Sequence, residues 1–235
     1  PLKQKIKQLL CLLLACQLFT GTAWARPDWP ADTGIQAEAG IVMDADSGAI
    51  LFGQNIHVPY PPASITKILT ALIVLEHAQP DEMVTFTETA CNSVESDSGN
   101  KLGVVPGDTL TVEDCLYGLL LVSANQAANA LAEHVAGSIP AFVDMMNDKL
   151  AELGCTESHF DNPSGLNGDT QYVTAYDMAL IAQAAYQNET LLEISSVKNH
   201  KLAPTINYPG GLTVNQEHRL LKEGDDFYYS PAKAG

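Results

Sequence analysis

The sequence comprises 235 residues, of which 46% are hydrophobic and 17% are charged, and its formal net charge is −16 at pH 7. Such a chain is long enough to fold as one large domain or two small ones. Its acidic excess argues against nucleic acid as a partner.

The first 25 residues have the pattern of a secretory signal peptide. Three lysines lie within the first seven residues, residues 9–19 are mostly apolar, and Ala23-Trp24-Ala25 has the small-x-small form of a cleavage site. We therefore expect cleavage near Ala25 and a secreted, extracytoplasmic protein. Leu13-Leu14-Ala15-Cys16 also fits a lipoprotein signal, but less well, because apolar residues continue beyond Cys16. No later run is long enough to span a bilayer.

Three cysteines follow the signal segment: Cys91, Cys115 and Cys155. Their odd number allows at most one disulfide bond among them, and the sequence leaves that pairing open. The chain contains no Cys-x-x-Cys pair, which would have indicated a metal or redox site.

Residues 26–36 are interpreted as a linker, and residues 37–235 as the domain. We expect the domain to begin with a β-hairpin over residues 37–54. Two apolar runs, residues 40–43 and 49–52, flank Asp44-Ala45-Asp46-Ser47-Gly48, whose residue types suit a tight turn.

A helix is expected next, starting at or just after Ala63 and ending near His77. The two prolines before Ala63 suit the turn that leads into a helix. Ser64 and Lys67 are three residues apart, so they share one face of the first turn, where helical N–H groups are unpaired. The spacing places a nucleophile beside an amine.

Lys67 is the only charged residue between Ala63 and Leu75, and the run is apolar on nearly every face. This pattern predicts a helix that is buried on all sides. Burial lowers the pKa of an amine toward the range in which its neutral form can accept a proton from a serine.

The Ser-x-x-Lys pattern is a weak signal alone, because it occurs four times in this chain. The four pairs are Ser64/Lys67, Ser98/Lys101, Ser195/Lys198 and Ser230/Lys233. Only Ser64 opens a long apolar helix, so its context selects it.

The remainder of the chain is predicted to be mainly helical, with a polar stretch before the helices and short strands after them. Thr111, followed three residues later by Asp114, predicts a capped helix start. The predicted elements are a short strand within residues 84–87, helices over 112–122, 126–135, 139–153 and 175–186, and strand-like pieces after Ser195.

Four segments carry a resemblance to a known family. They are residues 61–67 (Pro-Pro-Ala-Ser-Ile-Thr-Lys), Ser123-Ala124-Asn125, residues 159–166 (His-Phe-Asp-Asn-Pro-Ser-Gly-Leu) and residues 172–179 (Tyr-Val-Thr-Ala-Tyr-Asp-Met-Ala). In this order they resemble the serine D-Ala-D-Ala carboxypeptidases, the low-molecular-weight penicillin-binding proteins, whose wider superfamily has Ser-x-x-Lys, Ser-x-Asn and Lys-Thr-Gly motifs.

The resemblance implies a role for each matching residue. Ser64 would be the acyl-ester nucleophile, and Lys67 the proton acceptor that activates it. Ser123 would pass a proton toward the nitrogen of the leaving D-alanine. Asn125 would hold the amide backbone of the substrate and orient Lys67. The backbone N–H of Ser64 can serve as one oxyanion donor.

The resemblance also implies the fold and the partners. The fold would be the α/β, β-lactamase and transpeptidase-like fold, an antiparallel sheet flanked by a helical region. The substrate would be the peptidoglycan pentapeptide ending in D-Ala-D-Ala, in the cell envelope, and β-lactams would be inhibitors. No metal or cofactor is implied.

The sequence departs from the family pattern at three places. Gln126 stands where such enzymes often carry Asp, and Ser164 where many carry His. The Lys-Thr-Gly motif is missing, and the sequence ends at Ala232-Lys233-Ala234-Gly235. Either residues 233–235 are a degenerate motif, or the sequence is a fragment cut before it. We expect the fragment, with a sheet incomplete in this chain, and leave open membrane association through a missing C-terminal region.

Other classes fit the sequence less well. A class A β-lactamase would need a Glu-x-x-Leu-Asn loop after Ser123, and none follows. A Ser-His-Asp hydrolase would have a Gly-x-Ser-x-Gly elbow, and a zinc peptidase would have a His-Glu-x-x-His motif. The sequence contains neither. A non-catalytic wall-binding or penicillin-sensing module stays an alternative.

Overall fold

The computed structural model describes residues 35–92, 101–166 and 168–218. The chain divides into two units, Pro1–Ala37 and Glu38–Gly235. Only residues 35–37 of the first unit are described, and every element below belongs to the second. The predicted signal peptide, most of the predicted linker and residues 233–235 lie outside the described residues.

The described strands form three two-stranded antiparallel sheets. The first is the predicted hairpin, in which Gly40 pairs with Gln54 and a register shift follows Val42. The pairs are β1 (Gly40–Met43) with β2 (Ile50–Gln54), β3 (Met83–Thr85) with β4 (Thr109–Thr111), and β5 (Asn199–Lys201) with β6 (Thr213–Asn215).

Seven α-helices lie within the described residues, and five of them agree closely with the five predicted ones; α2 and α7 were not predicted. They are α1 (Thr66–His77), α2 (Glu88–Asn92), α3 (Val112–Leu121), α4 (Asn125–Ala136), α5 (Ile139–Glu152), α6 (Ala175–Ala185) and α7 (Glu189–Ser196). A 3₁₀ turn, Ala63–Ile65, precedes α1.

Helix α1 lies at the centre of the helical region and packs against α3, α4, α5, α6 and α7. Leu69, Ala71 and Ile73 are at most 1% exposed, so the predicted all-round burial is confirmed. Each fully buried Leu or Ile contributes about 1.5–3 kcal/mol relative to exposure. The core therefore forms around the helix that carries Lys67.

The predicted cap of α3 is confirmed in part. The Thr111 hydroxyl accepts a hydrogen bond from the backbone N–H of Asp114. The Asp114 carboxylate, however, accepts the N–H of Ala203 and pairs with Nε2 of His200, each at 2.8 Å. Asp114 is buried, and it joins α3 to β5 and to the residue Ala203 that follows this strand, instead of completing a capping box.

The stretch 79–110, predicted to be polar with one short strand, supplies part of the core. Its apolar residues occur singly or in short groups among polar ones, which is why its composition indicated a polar stretch. Strand β4 and helix α2 were not predicted, since each is at most five residues long. The residues that are at most 1% exposed are Val84, Phe86, Ala90, Leu102, Val104 and Leu110.

The β1–β2 hairpin packs against α6 and leaves apolar side chains exposed. Val42 is 50% exposed and Leu51 is 43% exposed. An apolar cavity of about 580 Å³ lies between β1 and α6, bordered by Tyr60 and Ile65. The described residues thus contain an antiparallel hairpin flanked by helices, in agreement with the predicted architecture.

Candidate active site

Ser64 lies in the 3₁₀ turn that leads into α1, and its side chain is exposed. The residue before it, Ala63, has a φ of +48°, in a region that non-glycine residues seldom adopt. The turn places the Ser64 hydroxyl at the N-terminal end of the central helix, as the sequence predicts.

Lys67 is 2% exposed, and its amine has two hydrogen-bond partners. The Nζ atom donates to Oγ of Ser64 at 3.1 Å and to the backbone carbonyl of Ser164 at 2.8 Å. Burial, reinforced by the charge of Lys101, lowers the pKa of Lys67 from 10.5 to about 8. Both partners are uncharged, so neither stabilises the ammonium form as a carboxylate would.

Ser123 lies at the break between α3 and α4, with a φ of +58°. Its hydroxyl donates to Oγ of Ser64 at 2.9 Å, across 59 positions of sequence. The Ser64 hydroxyl therefore lies between the amine of Lys67 and the hydroxyl of Ser123. In this arrangement the amine can take a proton from Ser64, and the second hydroxyl can supply a proton nearby.

Asn125 is the first residue of α4 and is 4% exposed. Its Oδ1 atom is buried and has no hydrogen-bond partner among the described residues. Lys67 therefore does not donate to this oxygen, and its described partners are Oγ of Ser64 and the carbonyl of Ser164. The orientation of Lys67 by Asn125 stays a prediction. A buried oxygen without a partner costs about 1–3 kcal/mol, so it stands out in this site.

The segment 162–166 completes the site, and sequence reasoning did not predict its contact with Lys67. The side chain of Thr70 donates to the carbonyl of Pro163 at 2.7 Å, which fixes this segment to α1. Gly165 has a φ of +83°, and a Cβ there would lie 1.8 Å from the carbonyl oxygen of Ala63. The signals were the Asn-Pro-Ser-Gly run, which is typical of a tight turn, and the place of this segment among the four that carry the family resemblance. Neither signal indicates a contact with Lys67.

Lys101, the lysine of the Ser98/Lys101 pair, has different surroundings from Lys67. Lys101 is half-exposed and pairs with the carboxylate of Glu217 at 2.9 Å. Ser98, Ser230 and Lys233 lie outside the described residues.

Within residues 35–92, 101–166 and 168–218, no group of three or more His, Cys, Asp or Glu side chains is arranged to hold a metal ion. No helix in these ranges has the length and apolar character needed to cross a bilayer. Cys91, Cys115 and Cys155 are all free thiols.

Comparison with solved structures identifies the class of fold. A D-alanyl-D-alanine carboxypeptidase from Mycobacterium tuberculosis H37Rv superimposes with a TM-score of 0.72 at 35% identity, over 80% of this chain and 69% of that one. Penicillin binding protein 6B from Escherichia coli gives a TM-score of 0.72 at 30% identity, over 84% and 63%. The chain has the β-lactamase and transpeptidase-like fold.

Sequence comparison identifies the family. The profile described as D-alanyl-D-alanine carboxypeptidase matches residues 26–225. The D-alanyl-D-alanine carboxypeptidase DacB2 of Mycobacterium tuberculosis is 37% identical over 206 residues, covering 83% of this chain and 64% of the relative. DacF of Bacillus subtilis is 31% identical over 196 residues, covering 81% and 50%. The chain belongs to the D-alanyl-D-alanine carboxypeptidase family, and it spans half to two thirds of these relatives' lengths.

Proposed function

We propose that the protein is a serine-type D-Ala-D-Ala carboxypeptidase. It removes the terminal D-alanine from peptidoglycan stem peptides through an acyl-enzyme on Ser64, and β-lactams acylate the same hydroxyl. The names of its relatives support this activity. The observation that carries the proposal is the 3.1 Å contact between the buried amine of Lys67 and Oγ of Ser64.

The lowered pKa gives Lys67 the properties of a general base. With a pKa of about 8, roughly a tenth of the amine is neutral at pH 7, against less than ~0.1% for an ordinary lysine. The neutral amine accepts the Ser64 proton while Oγ attacks the carbonyl carbon of the penultimate D-alanine. The backbone N–H of Ser64 supplies one donor to the developing oxyanion.

Ser123 completes the proton path. As the C–N bond breaks, the proton taken from Ser64 passes from Lys67 through the Ser123 hydroxyl to the nitrogen of the leaving D-alanine. Water then hydrolyses the ester and restores Ser64. Asn125 binds the peptide backbone of the substrate, and its unpartnered Oδ1 is an acceptor available for an amide N–H.

The cellular setting follows from the substrate. Stem peptides lie in the cell envelope, so the protein acts outside the cytoplasm. Its export is directed by the signal segment that ends near Ala25. A region following Gly235 would supply the Lys-Thr-Gly motif, with its substrate-binding cation and second oxyanion donor, and any membrane attachment.

Intact-mass spectrometry after incubation with benzylpenicillin tests the proposal. The proteins are this chain, the chain extended past Gly235, and Ser64→Ala of each. We expect the extended wild type to gain one drug-sized adduct that maps to Ser64, and Ser64→Ala to gain none.

Turnover of a D-Ala-D-Ala peptide by the extended protein tests the second half of the reaction. Released D-alanine supports the carboxypeptidase. An extended wild type that is folded but stays unmodified by the drug would contradict the proposal and favour a non-catalytic wall-binding module.

A further inference from the structure

Asn162 organises the turn that contacts Lys67. Its Oδ1 atom accepts three hydrogen bonds, from the backbone N–H of Ser164 at 3.1 Å, the Ser164 hydroxyl at 3.0 Å and the N–H of Gly165 at 2.8 Å. Its Nδ2 atom donates to the carbonyl of Leu166 at 2.6 Å. One side chain thus satisfies both sides of the turn, as an Asx turn does.

The turn is docked directly on the start of α1. Thr70 donates to the carbonyl of Pro163, and the backbone at Gly165 approaches that of Ala63 too closely for any side chain. In this position the next carbonyl, that of Ser164, points at the amine of Lys67 and accepts its N–H at 2.8 Å.

We propose that Asn162 is a positioning residue for Lys67, which shapes the turn whose Ser164 carbonyl holds the amine beside the Ser64 hydroxyl. The inference rests on the proposed function, since it assigns a second support to the same base. None of the hydrogen bonds described for Asn162 and for the Ser164 side chain involves Ser64, so both act on the site through the backbone carbonyl of Ser164.

A carbonyl is well suited to this task. It fixes one N–H of the amine in direction, yet it adds no negative charge that would raise the pKa of Lys67. The identified charge that acts on Lys67 is that of Lys101, which itself pairs with Glu217. The amine is therefore oriented by neutral groups, and its position depends on the shape of the turn.

The test is the rate of acylation by a fluorescent penicillin in the full-length protein, measured over roughly pH 6 to 10 so that the limiting rate at high pH is reached. At that limit the amine is neutral, and the rate reports its position and not its charge. We expect Asn162→Ala to lower the limiting rate by about 10- to 100-fold. Asn162→Asp, whose carboxylate can accept the same three bonds but loses the donor to the Leu166 carbonyl, should recover only part of it.

The matched control is Asn188→Ala. Asn188 is also a half-buried asparagine whose Oδ1 accepts a backbone N–H, that of Leu191 at the start of α7. Its loss should cost about 1 kcal/mol of stability and leave the limiting rate unchanged. A general loss of stability is thereby separated from misplacement of the amine.

The outcomes distinguish the inference from the proposed function. If the wild type is not acylated at Ser64, the proposed function fails. If the wild type reacts but folded Asn162→Ala keeps a limiting rate within about twofold, given that a displaced base should cost far more, the inference is wrong. Should Asn162→Ala not fold, Thr70→Val decides, since it removes the anchor of the same turn: a several-fold lower limiting rate supports the inference, and an unchanged one overturns it.

Discussion

Two lysines lie at opposite ends of helix α1, and their pKa values are shifted in opposite directions. Lys67, near the N-terminal end, is bonded to a hydroxyl and a carbonyl, and burial lowers its pKa to about 8. Lys149 of α5 pairs with Glu76, near the C-terminal end, at 2.8 Å and with Glu152 at 2.6 Å. Burial acts to lower the pKa of Lys149 too, but the hydrogen bonds to Glu152 and Glu76 raise it.

The comparison shows that burial alone does not decide the state of an amine. Both side chains are largely removed from water, and the difference is the presence of carboxylates at one end and their absence at the other. The end of α1 that lacks carboxylates is the one next to the exposed Ser64, in the turn that precedes the helix.

Replacement of each lysine by arginine should give the largest difference between the two ends. A guanidinium stays protonated, so Lys67→Arg cannot accept the Ser64 proton. We expect acylation by benzylpenicillin to fall by about 100-fold or more, measured as the second-order rate constant in the full-length protein. Lys149→Arg keeps its ion pairs and should react at the wild-type rate. Comparable rates for the two variants would exclude Lys67 as the base.

Stability should depend on pH differently at the two ends. The pKa of Lys67 is about 8 in the folded state against 10.5 for an ordinary lysine. Between these values the unfolded chain binds more protons, so the free energy of unfolding of the wild type should rise with pH relative to Lys67→Met, by up to about 3 kcal/mol. Urea denaturation at the two ends of this window measures the change.

Lys149→Met is the matched control for this measurement. The pKa of Lys149 in the folded state lies above the ordinary value. The free energy of unfolding of the wild type relative to Lys149→Met should therefore stay constant over the same pH window and decrease only above it. If the free energy of unfolding of the wild type relative to Lys67→Met is also constant over this window, the amine of Lys67 stays charged throughout it.

A smaller effect should appear in the backbone at the start of α1. Ala63 has a φ of +48° and is exposed, so Ala63→Gly should raise the free energy of unfolding by up to about 1 kcal/mol. Ala71→Gly, in the buried middle of α1, should lower it by about 1 kcal/mol or more. Thermal unfolding of both variants gives the two signs, and losses at both positions would show that the turn at Ala63 is not strained.

The elements that the sequence predicted well depend on local signals. The apolar run of α1 and the threonine cap at Thr111 both act within a few residues. The proximity of Ser64 and Lys67 was predicted from their spacing on one helix. That of Ser123 was predicted through the motif order of a resembling family, since no local rule joins residues 59 positions apart.

The contacts that were not predicted use backbone atoms or long-range pairing. Any residue type offers a carbonyl, so nothing in the identity of Ser164 indicates that its carbonyl binds Lys67. Likewise, Asp114 follows a capping pattern, and its pairing with His200 depends on tertiary packing. Strand β4 has only three residues and gains its partner from β3.

The sequence separation of the site contacts has a consequence for how the site assembles during folding. The bond from Lys67 to Ser164 spans 97 positions and that from Thr70 to Pro163 spans 93. No fragment that folds locally around α1 contains these partners, and contacts of such range form only as the whole domain assembles. Labelling of Ser64 by a β-lactam would therefore count completely folded molecules, and the reaction could serve as a direct measure of folding yield.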